Sequence, residues 1–225
     1  MTSGVNLVVF DLDHTLLSGD SDVLWCEFLL ARGLLDRATF AARNAQVEQG
    51  YRAGSITPQE FSEFYLSTLA GRTRAQFDVL REAFMAEAIV PRIPASARAL
   101  VDAHRAANEL LVMSTATNRY LTELTANELG FEHLIATEPE EVDGVFSGRS
   151  RGVLNMREGK VVRLREWLAA RSLPSELLSQ ASFYSDSMND LPLLQAVREP
   201  VVVDPDARLL AHAQAQGWKV LRLAR

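Results

Sequence analysis

The sequence predicts an α/β protein: a doubly wound parallel sheet with an inserted all-helical cap. Three observations carry this. In the second half of the chain, short β-branched apolar runs alternate with longer amphipathic stretches, the pattern of a parallel sheet wound with helices. One block near residues 18–88 breaks that alternation with helical periodicity throughout. The first apolar run stops abruptly at Asp11-Leu12-Asp13. The expected division is therefore a core of residues 1–17 and 89–225 and a helical cap of residues 18–88.

The elements follow in order. Val5 to Phe10 is short, β-branched and nearly all apolar, which predicts a buried strand. From Asp20, Leu24, Phe28 and Leu29 recur at helical spacing, and Gly33 suits the helix end. A second helix is expected over Arg37 to Gln49. Thr57-Pro58-Gln59-Glu60 is a capping box with proline at the first helical position, followed by Phe61, Phe64, Tyr65 and Leu69 on one side. Thr73 to Ala88 predicts a fourth helix with a stripe of Phe77, Leu80, Phe84 and Ala88. Pro91 and Pro94 break the run. An alanine-rich helix over Ala95 to Asn108 leads to a strand at Leu110 to Met113, and a helix from Asn118 to Leu129 ends at Gly130. Asp143-Gly144 signals a hairpin. Lys160 to Arg171 is amphipathic, Ser182 to Tyr184 is a short strand, and a helix starts near Asn189. Pro200 to Val203, Ala207 to Gln216 and Trp218 to Leu223 complete the alternation as strand, helix and strand.

Composition narrows the function classes. The chain has 225 residues, a net charge of -6 and 48% hydrophobic residues, enough for a substantial core. The acidic balance argues against general nucleic-acid binding. A lone cysteine, Cys26, forms no intramolecular disulfide, and beside Trp25 it reads as packing. No segment nears the roughly 20 apolar residues of a membrane helix, and the start of the sequence lacks a signal-peptide pattern. The expectation is a cytoplasmic protein with no membrane or nucleic-acid partner.

The chemistry-bearing residues fall where strands are expected to end, the edge at which open parallel sheets bind ligands. Asp11 and Asp13 follow the first strand, Ser114 and Thr115 the second, and Asp186 the Ser182–Tyr184 strand, while Lys160 opens a helix after Gly159. Two carboxylates on one strand-end loop repel unless a cation intervenes. A divalent metal relieves that and leaves one Asp11 oxygen free to attack. Ser114 to Asn118 supplies hydroxyls and backbone N–H groups for a phosphate at a helix start; an N-cap by Thr117 or Asn118 is the alternative. Lys160, set against a helix dipole but beside carboxylates, makes sense as a charge stabiliser. Asp186 suits magnesium, which prefers oxygen donors, and Asp190 could hold Lys160. His14 reads as a loop residue beside the site, and Trp167 and Trp218 as packing.

These residues resemble the haloacid dehalogenase-like hydrolase superfamily. Phe10-Asp11-Leu12-Asp13-His14-Thr15-Leu16 is similar to its first motif, Met113-Ser114-Thr115 to the second, Gly159-Lys160 to the third, and Ser185-Asp186-Ser187-Met188-Asn189-Asp190 to the fourth, with Ser185 where glycine is usual. The helical block resembles the cap of the phosphoserine phosphatase-like branch. The resemblance implies a phosphatase in which Asp11 attacks phosphorus and Asp13 protonates the leaving oxygen and then activates water. It implies magnesium held by the Asp11 and Asp186 carboxylates and the Asp13 backbone carbonyl, and a phosphate bound by Thr115, Lys160 and Asn189, with Asp190 in support. Asp13 argues against dehalogenation, because a halide needs no proton. The implied substrate is a small phosphorylated metabolite; transfer to an alcohol acceptor and a non-catalytic phosphate-binding module are the alternatives. The resemblance also makes Asp20 a substrate-selecting, amine-binding acid, against the alternative that Asp20 merely caps a helix with Asp22 adding charge to its first turn. The stretch Phe61-Ser62-Glu63-Phe64-Tyr65 lacks the cap arginine of phosphoserine phosphatases, which argues against phosphoserine itself.

Overall fold

The computed structural model describes residues 6–53 and 55–224; Val5, expected to open the first strand, lies outside them. Seven strands form one sheet: β1 (Leu7–Phe10), β2 (Leu110–Asn118), β3 (His133–Val142), β4 (Val145–Arg151), β5 (Ser182–Ser185), β6 (Glu199–Val203) and β7 (Lys219–Leu221). Their order is β4-β3-β2-β1-β5-β6-β7. All neighbours run parallel except the β3–β4 hairpin. The chain winds outward from β1 through β2 and β3, then returns to lay β5 on the other flank of β1. The crevice between β1 and β5 is thus the point where strand order reverses.

Alternation along β1 shows why both faces are covered. Leu7 and Val9 join a cluster with Leu164 and Leu168 of α7 (Glu158–Ala170), Leu177 and Leu178 of α8 (Glu176–Gln180), Leu193 and Leu194 of α9 (Leu191–Ala196), and Leu209 of α10 (Ala207–Gln216). Val8 and Phe10 face the other way, toward Ala97 and Val101 of α5 (Ala95–Ala106) and Leu121 and Ala126 of α6 (Arg119–Glu128). A strand buried on both faces must be apolar at every position, as β1 is.

Between β1 and β2 lie α1 (Ser21–Ala31), α2 (Arg37–Ala53), α3 (Pro58–Leu66) and α4 (Arg74–Phe84). Trp25, Phe28, Phe77 and Phe84 extend the Phe10 cluster into these helices. Cys26, Val47, Phe64 and Tyr65 form a satellite cluster, so Cys26 packs, and burial pushes its thiol up. Trp167 and Trp218 pack in the α7–α10 layer. The Thr57 box forms in full: Glu60 N donates to Thr57 Oγ1 at 3.2 Å and Thr57 N to Glu60 Oε2 at 2.8 Å.

Several boundaries differ from expectation. β2 runs on to Asn118 rather than stopping at Met113, because its polar end pairs with β3. The Asp143-Gly144 hairpin forms between β3 and β4, but β3 begins well before it, at His133: only Leu134 to Ala136 is an apolar run there, and the second half pairs with β4 as a partly exposed ribbon. The fourth helix stops at Phe84 and loosens into a wide turn over Met85–Ile89 and a tight one over Val90–Arg92; Pro91 lacks the N–H that a continuing α-helix needs. The five-residue α8 was also unforeseen. Among the described residues no helix is long and apolar enough to cross a membrane.

Candidate active site

Asp11 leaves β1 with its backbone N donating to Tyr184 O at 2.9 Å, so the ladder to β5 holds it in place. Lys160, in the first turn of α7, donates from Nζ to Asp11 Oδ1 and Asp190 Oδ2, both at 2.7 Å. Lys160 is 1% exposed, Asp11 6% and Asp190 4%, so this is a buried ion triad; removing Lys160 leaves two buried carboxylates uncompensated. Ser185 Oγ donates to Asp190 Oδ2 at 2.7 Å. Thr15 Oγ1 lies 3.3 Å from Asp11 Oδ2 and 3.1 Å from Asp186 Oδ1, tying the β1 and β5 ends together.

Asp13 has a separate set of partners. Its Oδ1 accepts from Ser21 N at 2.7 Å and Ser21 Oγ at 2.5 Å. Its Oδ2 lies 2.9 Å from Thr117 Oγ1 and 3.3 Å from Thr115 Oγ1. Both oxygens are therefore held, one from the helical block and one from β2.

A cavity of about 200 Å³ opens over these groups. From the sheet edge it is lined by Asp11, Asp13, His14, Lys160, Asp186, Asn189 and Asp190, and from the helical block by Asp20, Asp22, Phe61 and Tyr65. Thr115 is not on the lining. Its hydroxyl is buried behind Ala116 and Thr117, which form the wall there, and Asn118 caps α6 by accepting from Leu121 N at 3.1 Å. Asp20 does two things: it lines the cavity and caps α1, accepting from Val23 N at 3.0 Å. Of the Ser114 to Asn118 segment, Ala116 and Thr117 reach the lining, and Asp22 joins them there from the helical block. In sequence Asp22 is a first-turn acid that adds charge to a helix end, yet its carboxylate faces Thr117 Oγ1 at 3.4 Å and Asn118 Nδ2 at 3.5 Å. No local pattern separates those roles; only the approach of α1 to the end of β2 does.

The electrostatics are strongly acidic. Burial pushes the Asp186 carboxyl up to about 6. Burial, with repulsion from Asp13, does the same to Asp20, also to about 6. Asp22 is pushed well above the carboxylate range by burial and by its neighbours Asp20 and Asp13. Asp11 is raised by burial, with Lys160 pulling the other way. Burial alone would lower Lys160, but Asp11 and Asp190 outweigh it and hold the ammonium above its usual range.

The sequence profile of the haloacid dehalogenase-like hydrolases matches residues 8–195. The chain belongs to that family. This hydrolase is 38% identical over 217 residues to a histidinol-phosphatase of Neisseria meningitidis, spanning 96% of this chain and 98% of that one. It is 32% identical over 221 residues to the phosphoserine phosphatase SerB1 of Mycobacterium tuberculosis, spanning 96% and 71%. A solved Bordetella pertussis protein of unknown function superposes with a TM-score of 0.92 at 40% identity, over 97% and 99% of the two chains. A substrate-bound phosphoserine phosphatase shares the fold, with a TM-score of 0.68 at 12% identity over 97% and 93%. The hydrolase is a phosphatase of this family, in its phosphoserine phosphatase-like branch.

The donor set in this hydrolase fits magnesium. Asp13, Asp186 and Asp190 all lie close enough to Asp11 to repel its charge, and one ammonium, Lys160, pairs with Asp11 and Asp190, so a phosphate dianion meets excess negative charge unless a cation is bound. Among the described residues no three acidic, histidine or cysteine side chains stand together as a complete metal cage. Magnesium keeps several waters and takes one or two carboxylates; Asp11 and Asp186, bridged by Thr15, are such a pair.

Proposed function

We propose that this phosphatase hydrolyses the monoester of a small amine-bearing alcohol, by way of a phosphoryl group carried on Asp11 and with magnesium as cofactor. The observation that carries the reading is the split of roles in the cavity: Asp11 is clamped by Lys160 at one oxygen, while Asp13 is held apart by Ser21 and Thr117. An Asp11 oxygen attacks phosphorus, the ester P–O bond breaks, and the leaving oxygen takes a proton from Asp13. The Asp13 carboxylate then takes a proton from water as that water attacks phosphorus, and the P–O bond to Asp11 breaks. Protonated Asp13 and free phosphate complete the cycle. Lys160 and Asn189 bind phosphoryl oxygens, Asp190 holds Lys160, and Thr115 backs the wall made by Thr117. Magnesium, held by the Asp11 and Asp186 carboxylates and the Asp13 carbonyl, would neutralise phosphoryl charge. The block of residues 18–88 acts as the cap that selects the substrate. A cytoplasmic setting belongs to the same reading, supported by the lone buried thiol of Cys26.

The lining contributed by the helical block supports the substrate class. Asp20 and Asp22 are acidic, Phe61 and Tyr65 are aromatic, and among the described residues Lys160 is the sole lysine or arginine on the lining. A protonated amine fits there. Histidinol phosphate and phosphoserine are both 2-aminoalkyl phosphates, but phosphoserine adds a carboxylate that would face Asp20 and Asp22 without a cation. The reading favours histidinol phosphate. With magnesium, kcat/KM for histidinol phosphate is expected to exceed that for phosphoserine by about tenfold or more, the scale of one unpaired buried charge, and excess chelator should abolish both. Preference for phosphoserine would overturn the substrate class; no phosphate release from any ester would overturn the activity.

A further inference from the structure

We infer that Asn155, a fully buried residue in the loop before α7, is a positioning residue that sets the β2 bulge and, through Thr117, orients Asp13. The inference rests on the phosphatase reading for what Asp13 does, but not for how Asn155 holds the chain.

The ladder between β2 and β3 breaks at the site. Thr115 pairs with Ala136, yet the next pair is Asn118 with Thr137, so Ala116 and Thr117 bulge out of register. A bulge re-aims side chains and interrupts ladder hydrogen bonds. Here it presents Ala116 and Thr117 to the cavity and brings Thr117 Oγ1 to 2.9 Å from Asp13 Oδ2. The buried backbone beside a bulge needs other partners. Asn155 supplies them. Its Nδ2 lies 2.8 Å from Thr115 O, 3.0 Å from Ile135 O and 3.1 Å from Ser114 Oγ. Two amide protons thus serve three acceptors on two adjacent strands, at the position where their register parts. Asn155 N also donates to Thr137 Oγ1 at 3.2 Å.

The amide is itself firmly held. Leu154 O packs so closely on the start of α7 that a Cβ at Gly159 would fall 2.0 Å from it. Arg157 takes φ 50°, a conformation that is uncommon outside glycine. The loop is thereby pinned to the helix that carries Lys160. Asn155 Oδ1 is buried and accepts no hydrogen bond among the described residues. The three contacts of the side-chain amide all run through its N–H groups. The donor side of the amide is what the site uses.

The test is a double-mutant cycle of Asn155→Ala and Thr117→Val on the full chain with magnesium, read as kcat/KM for histidinol phosphate. Each single variant is expected to lose about tenfold or more, because small misplacements of a reacting group are costly. In the Thr117→Val background, Asn155→Ala should then cost less than about twofold. Equal loss in both backgrounds would overturn the inference and leave Asn155 a general stabiliser. If the alanine variant does not fold, Asn155→Ser, which keeps one donor, runs the same cycle. Amide hydrogen exchange gives a readout free of activity: Asn155→Ala should speed exchange at residues 115–118 and leave β5 and β6 unchanged. Unchanged exchange at 115–118 would overturn the inference. Failure of the wild type to release phosphate from any ester would instead strike the phosphatase reading, and exchange would still decide Asn155.

Discussion

The sheet edge and the helical block build the same cavity by different physics. At the edge, Asp11, Thr15, Lys160, Ser185 and Asp190 are buried and bound to one another. The helical block sends Asp20, Asp22, Phe61 and Tyr65 to the cavity from α1 and α3, and among the described residues Asp22 has two long, uncharged donors. One region is closed on itself; the other faces the ligand with charge still to be matched. The difference suggests a division to test: a self-contained constellation for the reaction, and an acidic wall from the helical block placed to choose what reacts.

The sharpest way to break this comparison is at its rigid half. Asp11→Asn should lower kcat by more than about a thousandfold, several kcal/mol of barrier, with circular dichroism unchanged; a folded variant retaining a tenth of the activity contradicts the division. Lys160→Met should lower kcat and also destabilise the metal-free protein by about 3–5 kcal/mol, because Asp11 and Asp190 lose their shared ammonium. A thermal melt matching wild type would show that the triad is not structural. On the selecting side, Asp22→Asn should weaken kcat/KM for histidinol phosphate by about tenfold or more and alter an uncharged alkyl phosphate less than about twofold; equal losses would make Asp22 part of the chemistry. Smallest, Thr57→Ala breaks the α3 capping box and should cost about 1 kcal/mol of stability with kcat unaffected; a large kcat change would show that the block's stability and the edge's chemistry are not separable.

Legibility in the sequence follows the same line. The edge was readable because strand ends and motif spacing are local. β1 ending at Asp11, Gly159 before Lys160, and Asp186 after β5 all stand where periodicity put them. The capping box and the Asp143-Gly144 hairpin were local too. What escaped depends on distant contact. β3 is too polar to show a strand period, since half of it is an exposed ribbon. The bulge that puts Thr117 rather than Thr115 on the cavity wall arises from pairing with β3 and from Asn155. Asp22 looks like any acid at a helix start until α1 meets β2.

The central claim is that Asp11 carries the phosphoryl group, and trapping that group tests it most directly. The enzyme is mixed with magnesium and phosphorus-labelled histidinol phosphate, quenched in acid within a turnover, and digested for peptide mapping. The account predicts label on the peptide containing Asp11, lost on treatment with hydroxylamine as an acyl phosphate should be, and absent from Asp11→Asn. Steady phosphate release with no labelled protein at any quench time, or label on a different peptide, would contradict it.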